Sequence, residues 1–71
     1  MEADVGKEYL PHQQRVIEEH KDLRERRLKL VAFLESPAFA ALDVAERSRM
    51  QKQQQLMYEL ERVLQARISN F

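Results

Sequence analysis

Seventy-one residues without a cysteine hold one domain at most, and neither disulfides nor a thiolate-bound metal can reinforce its small core. Twelve basic side chains balance twelve acidic ones, which excludes a global field that would draw the chain onto nucleic acid or an anionic membrane, so any anion binding must be local. One glycine, two prolines and many Glu, Gln, Arg, Leu and Ala residues make a composition of long helices, in which self-association is expected to supply the missing stability.

Residues 1–8 carry little apolar material and include the glycine, Gly6. They are expected to form a flexible arm ahead of a single domain over 9–71. The acidic start "MEADVGKEY" lacks the basic and apolar regions of a signal peptide, and no run approaches the ~18 apolar residues of a membrane span, so a soluble cytoplasmic protein is expected.

Pro11 suits the first turn of a helix because that turn needs no amide donor there, and from Val16 onward the apolar positions follow helical spacing. The first helix is expected over Pro11 to Glu35. Its stripe Val16, His20, Leu23, Arg27, Leu30, Leu34 alternates steps of four and three, a heptad-like seam with polar breaks at His20 and Arg27. Ile17, Leu28 and Val31, with Arg24 among them, form a second stripe to one side. This apolar arc is wider than one antiparallel neighbour covers.

Ser36-Pro37 ends that helix, because the proline ring disfavours helical dihedrals in the residue before it, and "PAFAAL" then suits a short helical turn. Asp43, three residues before Glu46, has the spacing of a capping box and predicts a second long helix over Val44 to Ser69. Its inner stripe reads Met50, Met57, Leu60, Leu64, Ile68, with Leu56 and Val63 to one side. Two helices of similar length and a short joint give an all-α, antiparallel two-helix hairpin after a short N-terminal segment, with Phe33, Phe39 and Leu60 in its core, assembling into a helical homo-oligomer.

Catalytic groups are not to be found in this pattern. His12 and His20 are eight residues apart, not the four that place two imidazoles on one metal, and the serines have no nucleophile-elbow context. An enzyme is not expected, nor a cofactor or a metal. Arg24, Arg26, Arg27 and Lys29 cover more than one side of the first helix, so two or three of them converge at most, either as a solvated face or as an anion site. Arginine has the planar fork that matches phosphate oxygens, and Tyr9, ahead of the helix, either packs on the second helix as an N-terminal staple or stacks on a base.

The string "YLPHQQRVIEEHKDLRERRLKLVAFLESPAFAAL", with the later "QQQLMYELERVLQARI", resembles a family of small phage-encoded helical-hairpin proteins. Their pattern runs from an aromatic and a "P-HQQRV-E" helix start, through "L----KL-AF", to "Q---M--Y--VL--RI". The family includes the anti-CBASS sponges, which evade bacterial immunity by sequestering cyclic oligonucleotide messengers without cleaving them. The resemblance implies cyclic dinucleotide or trinucleotide ligands in the host cell cytoplasm, a homo-oligomer of hexamer type, and no DNA or RNA polymer as partner. By position it implies Tyr9 on a nucleobase, Arg26 on phosphate with Arg24 beside it, and Arg67 in a separate trinucleotide pocket. The rival expectation is a hairpin that lays an apolar face into a host protein's groove.

Overall fold

The computed structural model describes residues 8–71 as three helices, α1 (Pro11–Leu34), α2 (Pro37–Ala40) and α3 (Val44–Ser69). The arm expected over residues 1–8 lies, except for Glu8, outside the described residues. The two long helices pack antiparallel, with α2 closing one end. The molecule measures 50 × 20 × 15 Å, with a radius of gyration of 15.8 Å, against roughly 11 Å for a compact globule of this length. Such a rod offers only one narrow seam in which to hide side chains.

Local chemistry sets each helix end. Pro11 occupies the first turn of α1, and because the Leu10 side chain cannot cap, the Gln13 side chain reaches back to accept from the Leu10 amide at 2.9 Å. At the other end Ser36 joins two helices through one hydroxyl. Its Oγ donates to the Phe33 carbonyl at 2.6 Å and accepts from the Phe39 amide at 3.3 Å. α1 therefore stops at Leu34, with Glu35 as its cap residue, one residue short of the expected end. Asp43 caps α3, accepting from the Glu46 amide at 2.8 Å. The reciprocal half of the capping box is absent, because the Glu46 carboxylate instead accepts from Arg49 Nε at 2.9 Å. Glu46 in the first turn and Arg67 in the last both complement the dipole of α3.

The α1 seam is the expected one. Val16 is buried, and His20, Leu23, Arg27, Leu30 and Leu34 are half-buried. On α3 the sequence reading requires one correction. Leu60, placed in the core, is 43% exposed, while Glu61 and Leu64 are the buried residues of α3. The reason is register: four residues on from Met57 the 3–4 spacing arrives at Glu61, then at Leu64 and Ile68, which leaves Leu60 on the flank. At the closed end the Phe33 and Phe39 rings meet edge to face with centroids 6.3 Å apart, and at the open end Tyr9 does the same with Phe71 at 6.2 Å. Both rings of each pair are half-buried.

Among the described residues Val16 and Leu64 are the whole of the buried apolar core. Leu28, Leu56 and Val63, assigned to the side stripes, are indeed largely exposed. The wide apolar arcs read from the sequence are thus present and uncovered in the single chain.

Candidate functional site

The seam carries one ion pair at its middle. Arg27 on α1 and Glu61 on α3 face each other with side chains 15% and 9% exposed. The contact is a two-pronged fork, in which Arg27 Nε donates to Glu61 Oε2 and Nη2 donates to Oε1 at 3.3 Å. The hydrogen bond to Glu61 raises the Arg27 pKa above its ordinary value, opposed by burial and assisted by the Glu61 charge. The guanidinium carbon also lies 5.2 Å from the centre of the Tyr58 ring. Arg27 therefore has a fixed position and two partners, a structural placement that removes it from the pool of free cations.

This seam divides the hairpin into two flanks, each with a groove. The first, of about 540 Å³, is lined by Arg15 and Arg26 together with Glu18, Glu19, Asp22 and Leu23 from α1 and Leu60 from α3. The second, of about 250 Å³, collects His20 and Arg24 from α1 with Tyr58, Glu61, Arg62 and Gln65 from α3. Arg24 and Arg26 are two residues apart, hence about 200° around the helix, and one protomer directs them into different grooves.

The remaining expected site residues lie elsewhere. Tyr9 is at the open end against Phe71, the staple role weighed for it in the sequence. From Pro11 to Arg26 the helix rises roughly 22 Å, so Tyr9 and Arg26 of one chain are too far apart to share a cyclic dinucleotide. Arg67 is exposed in the last turn of α3, one heptad beyond Leu60 and therefore on the Arg26 flank. Among the described residues the ion pairs are Arg27–Glu61 and Arg49–Glu46 alone, so Arg24, Arg26 and Arg67 are without carboxylate partners.

Tyr58 and Arg62 were missed in the sequence. Arg62 Nη1 donates to the Tyr58 hydroxyl at 3.3 Å, and its guanidinium carbon is 5.9 Å from the ring centre. Their i, i+4 spacing was legible, but their relation to Arg24 depends on which flank α3 turns toward α1. No group of His, Cys, Asp or Glu among the described residues could hold a metal ion. No described helix is long and apolar enough to cross a membrane. What the surface offers is therefore charge, donors and apolar contact in two open grooves, suited to holding a molecule.

A family model decides what kind of protein this is: the Sequestin model matches residues 10–70, from Leu10 just ahead of α1 to Asn70 just after α3. The chain belongs to the Sequestin family. This family of phage sequestering proteins implies capture of a molecule, in place of catalysis, by the helical hairpin described above. No curated protein and no solved structure matches this Sequestin.

Proposed function

We propose that this Sequestin is a sponge for cyclic oligonucleotide second messengers, binding cyclic dinucleotides, with cyclic trinucleotides as a second class, and releasing them chemically unchanged. The observation that carries the reading is membership of a sequestering family on a scaffold whose Arg26 and Arg67 have no carboxylate partner. Guanidinium forks match phosphate oxygens, and an aromatic such as Tyr9 matches a flat base. In this reading Tyr9 of one protomer and Arg26 of another meet on one ligand, which overcomes their separation within a chain. A symmetric interface supplies each twice, as a cyclic dinucleotide with two phosphates and two bases requires. Arg67, on the Arg26 flank, serves the trinucleotide.

Apolar surface supports the assembly that this requires. Leu56, Leu60 and Val63 lie side by side on the Arg26 flank of α3, each at least 43% exposed, and burying them against another copy would stabilise an oligomer, a hexamer by the resemblance. Light scattering at micromolar concentration is expected to give a mass well above 8.5 kDa; a clean monomer would remove the shared site. The same stripe also favours a second reading, a protein-interaction module that binds a host protein with the arginines at its rim.

Calorimetry against a panel of cyclic dinucleotides and trinucleotides tests the proposal. A buried charge-assisted contact is worth ~1.5–3 kcal/mol, so Arg26→Ala is expected to weaken binding roughly ten- to a hundred-fold with the helices intact. Tyr9→Ala should cost ~1–3 kcal/mol of stacking. Ligand recovered after heating the complex should be unaltered. No heat with any cyclic nucleotide would leave the interaction module in first place, and recovered linear product would refute sequestration without cleavage.

A further inference from the structure

The two grooves differ in charge. Beside Arg15 and Arg26 stand three carboxylates, Glu18, Glu19 and Asp22. The opposite groove has one, Glu61, and its two oxygens are engaged by the fork of Arg27. Arg24 and Arg62 in that groove therefore have no carboxylate within ion-pair distance. Neutral donors join them. The Tyr58 hydroxyl accepts from Arg62, which leaves its own proton free to donate. Gln65 uses one amide hydrogen on Ser69 Oγ at 3.3 Å and retains the other. Tyr58 is itself steadied by Arg27 behind it, which the buried ion pair holds in place.

We propose that the Arg24–Tyr58–Arg62 groove is a phosphate site, separate from the Arg26 flank. Two guanidiniums from different helices grip the oxygens of one phosphate or diphosphate group, and the Tyr58 hydroxyl donates to a third oxygen. The chemistry required is that of a phosphate oxyanion, whether the ligand is a nucleotide phosphodiester or a free diphosphate. The site stands apart from the cyclic-nucleotide reading, because it needs no base.

The test follows arginine side-chain Nε–Hε resonances in ¹⁵N-labelled protein as pyrophosphate is added, with ionic strength held constant by sodium chloride. Arg24 and Arg62 are expected to shift and saturate, while Arg15 and Arg26 follow the chloride control. The Arg24→Gln, Arg62→Gln double variant keeps the Arg27–Glu61 pair and should lose the saturable phase. Tyr58→Phe keeps the ring under Arg27 and should weaken binding by about two- to tenfold, one hydrogen bond's worth. Small linear shifts alike at every arginine would overturn the proposal, as would saturable binding that survives in the double variant. A cyclic-dinucleotide titration separates the two readings. Pyrophosphate saturation without heat from any cyclic nucleotide keeps this site and removes the sponge. Cyclic-dinucleotide binding unaffected by the double variant, with no pyrophosphate saturation, removes this site and keeps the sponge.

Discussion

Leu64→Ala is expected to unfold the hairpin or bring it close to unfolding, whereas Leu60→Ala, four residues earlier, leaves the isolated protomer nearly as stable as before. Leu64 is 2% exposed and one of two buried apolar side chains among the described residues. Truncating a buried leucine costs ~2–5 kcal/mol in lost transfer energy and residual cavity, a large share of what so small a domain possesses. Leu60 sits on the rim of the Arg26 groove and is 43% exposed, so in a single chain its removal costs well under half as much. Urea melts followed by circular dichroism check the contrast, and repeating them at two protein concentrations extends it. The Leu64→Ala loss should be similar at both. A Leu60→Ala loss that appears only at the higher concentration is the expected signature of a second copy covering that flank. Equal and large losses at both concentrations would mean that Leu60 is a core residue of the protomer, and the α3 register described here would fall.

The difference between these two leucines also shows where the sequence was sufficient and where it was not. Helix ends were legible because they are decided within a few residues: Pro11 sits in a first turn that needs no amide donor from it, and Ser36 and Asp43 each accept from an amide three positions on. The α1 seam was legible too, with its polar members His20 and Arg27, because its spacing held over about five turns from Val16 to Leu34. On α3 the count followed apolar letters, and so stepped from Met57 to Leu60 and passed over Glu61. A glutamate at a seam position is unfavourable until its partner is known, and that partner is 34 residues away on the other helix. One signal was available. Arg27 already broke the first seam, and a half-buried cation calls for an anion at the same height on the facing helix. The grooves were less legible for the same reason. Spacing alone separates Arg24 from Arg26, but only the tertiary register brings Tyr58 and Arg62 beside Arg24 and three carboxylates beside Arg26.

The Arg27–Glu61 pair yields the remaining prediction, in which breaking one partner and replacing both have opposite effects. Glu61→Leu alone leaves a guanidinium in the seam with no carboxylate to neutralise it, and Arg27→Met alone leaves the reverse. Each single change is expected to cost about 3 kcal/mol, the low end for a buried pair, because the side chains retain 15% and 9% of their exposure. The Arg27→Met, Glu61→Leu double variant restores an apolar seam and should be as stable as the native chain, or up to ~4 kcal/mol more stable. The raised Arg27 pKa makes the sign of the pH dependence definite. The arginine's contribution is fully present below its unfolded pKa and is lost only as pH rises through the higher folded value. Its own titration therefore adds no slope to stability around neutral pH. Urea melts of the four proteins at neutral pH supply the cycle, and a double variant no more stable than the single variants would show that the seam packs around the ion pair. Stability is not all that the pair provides. An apolar seam is compatible with sliding one helix by a heptad, whereas a charged pair is satisfied in one register only. The double variant should therefore keep its helicity while losing the fixed placement of Tyr58, whose ring rests on Arg27. Broadened Tyr58 ring resonances in a protein that melts no earlier than the native one would identify the ion pair as the device that fixes register, and through it the second groove.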